Sequence, residues 1–123
     1  MATWTPDELE AIGTAKELEI TSSRDDGSTR EPVTIWVVRV DDDLYVRSVR
    51  GEHGAWYRGA EQNHEGRVEA GGIAKDVAFV DVGSDNAEQL DAAYKEKYGY
   101  PSGPVDSITS PEAQATTIRL RPR

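Results

Sequence analysis

The chain has 123 residues, 37% hydrophobic and 30% charged, with 23 acidic against 14 basic side chains and a net charge of −9. That length and balance predict one folded domain over 1–123 with a single core, and the acidic excess argues against non-specific nucleic-acid binding, which is driven by phosphate neutralisation. The absence of cysteine removes disulfides, thiolate catalysis and zinc–thiolate sites together.

No apolar run approaches the roughly 20 residues of a membrane span. The start, "MATWTPDELE", is neither basic nor apolar, so no signal peptide is expected and the expected compartment is cytoplasmic. His53 and His64 are the two histidines, without HxH or HExxH spacing, and no metal site is predicted.

In "TPDELEAIGTA" Thr5 is a cap, Pro6 fits the first helical position and Glu8 completes a capping box. "ELEIT" (17–21) alternates as a strand and runs into the polar loop "SSRDDGSTREP", with Asp26-Gly27 as a turn signal. "VTIWVVRV" (33–40) is apolar on both alternating faces, which predicts a central strand covered on both sides. "DDD" (41–43) turns the chain into "LYVRSVR" (44–50), a second strand. There Tyr45, Arg47 and Val49 share one face and Leu44, Val46, Ser48 and Arg50 the other. An arginine among apolar neighbours near a strand end either snorkels to solvent from an edge or faces a ligand.

"GEHG" leads into a short helix, "AWYRGAEQN" (55–63). "GRVEAGG" and "IAKDVAFVDV" form a hairpin about Gly71-Gly72. "SDNAEQLDAAYKEKYG" is a helix in which Asp85 and Glu88 have capping-box spacing, Gly99 is the stop, and Leu90, Ala93, Tyr94 and Lys97 share a side. "YPSGPVDSITSPEA" is loop or broken helix, and "TTIRLR" (116–121) is a last strand with Ile118 and Leu120 on one face. Mostly hairpin connections between about six strands suggest an antiparallel α+β domain or small barrel.

Spacing supports no enzyme class. There is no G-x-S-x-G elbow, P-loop or dinucleotide fingerprint, and 23 acidic residues make carboxylate pairs uninformative. "RSVRGEHGAWYRGA" (47–60) is different, because it gathers arginines, glycines and aromatics in an acidic chain. It delivers the chain to a helix N-terminus, where free N–H groups and the helix dipole favour an anion. Arg47, Arg50 and Arg58 reinforce that, and Trp56 or Tyr57 can stack on a planar ring or else anchor the helix to the core.

The blocks "PVTIWVVRVDDDLYVRSVRGEHGAWYRGA", "DAAYKEKYG" and "TTIRLRPR" resemble the bacterial family catalogued as domain of unknown function 2255. That family in turn resembles the flavin split-barrel superfamily, above all the deazaflavin-dependent nitroreductases. Those have a "G-R-x-S-G-x-x-R" loop before a hydrophobic strand, and later a glycine-rich turn and a "P-x-W-Y" helix start. Here "SRDDGSTREP" places Arg24, Gly27 and Arg30 near the loop positions, the turn is "RGEHG" and the helix start is "AWYRGA".

The resemblance implies a six-stranded antiparallel split β-barrel with peripheral helices, usually a homodimer, holding flavin mononucleotide or the deazaflavin coenzyme beside the barrel. It implies that Arg24 and Arg30 face the phosphate or acidic tail, that Arg47, Ser48, Arg50 and Gly51 border the cofactor, and that Gly54, Trp56 and Tyr57 shape the turn and helix beside it. The activity implied is that of a small flavin- or deazaflavin-dependent oxidoreductase, with no catalytic side chain assigned. Ala55 stands in place of the proline of those relatives, and Asp25 and Asp26 oppose a phosphate in the loop. These departures favour the alternative, a non-catalytic dimeric split-barrel module that binds another anionic small molecule.

Overall fold

The computed structural model describes residues 3–24, 26, 28–99 and 102–123. The expectations placed on Asp25 and Gly27 lie outside the described residues. Helix α1 (Pro6–Thr14) begins with both halves of the capping box: Thr5 Oγ1 accepts from the Glu8 N–H at 3.1 Å, and Glu8 Oε1 accepts from the Thr5 N–H at 2.9 Å. Glu8 also meets Lys75 at 2.9 Å, which ties the helix to the sheet and holds the Glu8 carboxyl below its ordinary range.

The strands are β1 (Leu18–Ser22), β2 (Val33–Ile35), β3 (Val38–Val40), β4 (Asp43–Val46), β5 (Glu65–Ala70), β6 (Ile73–Asp81) and β7 (Ile118–Pro122). They form one antiparallel sheet in the order β2-β1-β5-β6-β7-β4-β3. The remaining elements are a 3-10 turn (Gly51–His53), α2 (Ala55–Asn63), α3 (Ala87–Tyr98), α4 (Gly103–Ile108) and α5 (Pro111–Gln114).

The 33–40 stretch is the main departure from expectation. It is not one central strand but two edge strands, β2 and β3, at opposite ends of the sheet, joined through Trp36 and Val37. The crossing ties the two edges together, so the sheet curls into a half-barrel and counts seven strands where six were expected. Its apolar residues serve two separate clusters. Ile35 and Val37 pack into the main core with Leu18, Ile20, Leu44, Val68, Phe79 and Leu120. Trp36, Val38 and Val40 pack on the opposite side with Tyr45, Leu90, Tyr94 and Ile108. Truncating a fully buried member of either cluster, such as Ile20 or Leu90, to alanine costs about 2–5 kcal/mol.

The second strand is shorter than expected, because β4 ends at Val46 opposite Ile118, where β7 begins. Beyond it Ser48 N–H donates to the side chain of Thr116 at 3.0 Å instead of to a strand backbone. The capping box expected at Asp85 and Glu88 does not form. The N-cap of α3 is Asn86, in the left-handed region at φ 59, with no side-chain cap bond. The hairpins about Asp41-Asp42 and Gly71-Gly72 form as expected, with Val40 opposite Asp43 and Ala70 opposite Ile73. Among the described residues no helix is long and apolar enough to cross a membrane.

Candidate functional site

A cavity of about 610 Å³ lies where four segments meet. Val33, Thr34, Ile35 and Trp36 line it from the β2 edge, and Arg47, Ser48, Val49 and Arg50 from the segment after β4. Gly54, Ala55 and Trp56 contribute the start of α2, and Pro104, Ser107 and Ile108 come from α4. The size suits a small-molecule site, and the walls have the character of one, largely apolar with few polar groups.

Four of the eight sequence-predicted residues meet in this cavity: Arg47, Ser48, Arg50 and Trp56. Their roles differ. The Arg47 guanidinium faces protein, not solvent, which excludes the snorkelling alternative. Its Nε donates to Thr117 Oγ1 at 3.0 Å, and its terminal nitrogens donate to Asp91 Oδ1 at 2.5 Å, Ile108 O at 3.1 Å and Ala87 O at 3.4 Å. It also lies 5.3 Å from the centroid of the Tyr94 ring. Arg50 is the opposite case. It is exposed at the rim, and among the described residues its side chain forms no ion pair or hydrogen bond.

Trp56 serves both purposes that the sequence left open. It is 6% exposed and belongs to the main core, yet part of it faces the cavity. The N-terminus of α2 opens beside it. The N-cap is Gly54, which supplies no side-chain acceptor, so the first N–H groups of the helix are left for another partner. Gly54 is also packed tightly: a Cβ there would collide with the Ser48 hydroxyl.

The other four do not line the cavity. Gly51 takes φ 61 at the 3-10 turn and packs on Glu112, where a Cβ would stand 3.2 Å from the Glu112 Cβ. Tyr57 turns the other way, packing edge-on against Trp56 with its hydroxyl 3.5 Å from Asp81 Oδ2. Burial first, then the charges of Asp81 and Glu61, pushes the Tyr57 phenol well above its ordinary range. Arg24 donates within its own loop, to Ser28 Oγ at 3.4 Å and Thr29 O at 3.1 Å, and Arg30 donates to Gln62 at 3.2 Å.

Sequence reasoning missed Trp36 and the α4 wall. In the sequence Trp36 belongs to a two-faced strand, whereas in the fold it stacks on Tyr98 with ring centroids 3.9 Å apart and planes within 4°. The α4 wall carried a usable signal in "SGPV": Ser102 caps Val105 N–H at 3.2 Å, and Pro104 sits in the first turn.

Residues 8–120 match the family described as "Uncharacterized protein conserved in bacteria (DUF2255)". The chain belongs to this family. No curated protein matches it. Among solved structures it is similar to HutZ, the heme storage protein from Vibrio cholerae, at 16% identity and a TM-score of 0.68, covering 100% of this chain and 92% of that one. It is also similar to an F420 reductase at 13% identity and a TM-score of 0.58, covering 94% and 90%. A third is an FAD-binding protein from Mesorhizobium loti at 16% identity and a TM-score of 0.54, covering 98% and 89%. The likeness is one of fold, the split-barrel type, and the family resemblance drawn from the sequence holds.

Proposed function

We propose that the 610 Å³ cavity takes a flavin or deazaflavin and that the protein is a small oxidoreductase dependent on it. One observation carries the reading: an apolar slot walled by Trp36 and Trp56 has at its rim a solvent-exposed arginine, Arg50, unpaired among the described residues, and a helix N-terminus without a side-chain cap. That arrangement fits a flat ring with an anionic tail. When bound, the cofactor supplies hydride chemistry, and the protein supplies binding, orientation and exclusion of water. Trp36 and Trp56 would hold the ring, Ser48 would offer it a hydroxyl, and Arg50 with the α2 N-terminus would hold the tail.

Heme is a poorer fit. Among the described residues the cavity lining contains no histidine, cysteine, methionine or tyrosine, so none of them offers an axial ligand to iron there. Val33 and Val49, the two exposed large hydrophobics among the described residues at 36% and 59%, both stand on the rim. A second copy of the chain covering them would finish the site, which supports a homodimer.

The alternative, a non-catalytic module for another anionic small molecule, draws on Arg24 and Arg30. Both turn to local partners and neither lines the cavity, so a long phosphate tail loses two of its expected contacts. Titration with flavin mononucleotide and, separately, with the deazaflavin coenzyme decides between them. Micromolar quenching with either supports the cofactor reading. A folded protein that quenches neither sinks it and leaves the alternative.

A further inference from the structure

A second cavity, about 450 Å³, opens between α1, β3 and α3, with Thr14, Arg39 and Lys97 on its walls. Lys97 is half-buried there, and its Nζ donates to Val37 O at 2.6 Å and lies 5.1 Å from the centroid of the Tyr98 ring. The next residue holds the same spot. Tyr98 Oη accepts from Val37 N–H at 3.2 Å, lies 3.1 Å from Val37 O, and its ring stacks on Trp36. Two consecutive residues of α3 therefore clamp the point where the chain passes from β2 to β3. Trp36, beside that point, is a wall of the first cavity.

Lys97 differs from the other lysines. Lys75 is paired with Glu8 at 2.9 Å, and Lys16 and Lys95 are exposed. Among the described residues no carboxylate pairs with Lys97; the charged groups on the same cavity are Arg39 from β3 and Glu96 from its own helix. Burial without a compensating anion lowers the Lys97 ammonium to about 8, from the ordinary 10.5.

We propose that Lys97 is a covalent modification site, the lysine of this chain that small acyl donors such as acyl phosphates acylate, and that its acylation loosens the Trp36–Val37 crossing and with it a wall of the first cavity. The ammonium first gives its proton to solvent. The free amine then attacks the acyl carbonyl, the C–N bond forms, and the bond from carbonyl carbon to phosphate oxygen breaks. Inorganic phosphate leaves with the electron pair, and the second amine proton is lost to solvent. The neutral amide loses its attraction to the Tyr98 ring, and the acyl group crowds Val37 O. Nothing in this depends on which ligand the first cavity takes.

The test treats the full chain with acetyl phosphate at pH 8 and follows each lysine by peptide mass spectrometry. Half of Lys97 is neutral at that pH, against less than about 1% of an ordinary lysine, and its lower basicity and partial burial leave an advantage of about tenfold. Lys97 should therefore react about tenfold faster than Lys16 or Lys95. Amide exchange over 33–38 should quicken in the acylated protein and stay unchanged in K97R given the same treatment. Equal rates at the three lysines, unchanged exchange after acylation of Lys97, or the same loosening in treated K97R would each overturn the proposal.

Discussion

Arg47 Nη1 stands 2.5 Å from Asp91 Oδ1, with the arginine side chain wholly buried and the aspartate 20% exposed. The same guanidinium reaches Thr117, Ile108 and Ala87, so one side chain joins the end of β4 to β7, α3 and α4. Removing it takes the cation from the Asp91 carboxylate, which keeps only Gln114 Nε2 at 2.8 Å among the described side chains, and a donor from three other acceptors. Arg47→Ala should lower folding stability by about 3–5 kcal/mol, read as the shift in urea midpoint. Arg47→Lys should recover little, because one ammonium cannot reproduce the planar fork. Asp91→Ala should cost at least as much, because it leaves the wholly buried guanidinium with neutral acceptors alone, and these do not neutralise its charge. Equal stability of Arg47→Ala and the parent chain would refute the buried-node reading.

Arg50, three residues on, should behave in the opposite way. It is exposed and, among the described residues, unpaired, so Arg50→Ala should change stability by less than about 0.5 kcal/mol. Loss of a charge-assisted bond to an anionic tail should weaken flavin or deazaflavin binding about ten- to hundredfold. Isothermal titration beside a urea melt reads both quantities. Unchanged affinity would remove Arg50 from the site.

These two arginines show how far the sequence could be read. Both stood in one glycine- and aromatic-rich stretch, and alternation separated them onto opposite faces. Alternation could not say that one face leads into protein and the other to a rim, because that depends on α3 and α4 closing over the end of β4. The same gap explains 33–40. Apolar residues on both faces mean burial on both sides, which a central strand satisfies and so does a crossing strand shared by two clusters. The turn pairs and the Thr5 capping box were legible because they are settled within a few residues. Trp36 was not, since its stacking partner Tyr98 lies far along the chain.

Gly66 marks a position where the strands leave no room. In β5 it lies opposite Val77 and beside Thr21, and a Cβ would strike the Thr21 carbonyl oxygen and approach the Phe79 ring to 2.8 Å. The ring can shift, but the carbonyl belongs to the β1–β5 ladder and cannot. Gly66→Ala should therefore cost about 3 kcal/mol. Adding Phe79→Leu should restore none of it, because only the ring contact is relieved. Recovery of the urea midpoint in the double variant would show the ring to be the obstacle instead.

Glu61 sets a pH dependence. It lies on α2 beside Tyr57 and Asp81, and its Oε1 is buried without a hydrogen-bond partner among the described residues. Burial first, then the bond and charge of Asp81, raises its carboxyl above the ordinary 4.5. The folded state then holds the Glu61 proton over a range where the unfolded chain has lost it. Its favourable contribution is complete below the unfolded value of 4.5, shrinks as pH rises, and is gone once pH passes the raised folded value. Above the unfolded value the unfolded chain releases this proton more readily than the fold does, so the group is a net cost to the fold at neutral pH. Glu61→Gln should therefore be more stable than the parent chain at pH 7, nearly equal to it at pH 4, and flatter between them. Urea melts across that range measure the difference. A glutamine variant that is less stable at pH 7 than at pH 4 by the same margin as the parent would mean that another group carries the slope.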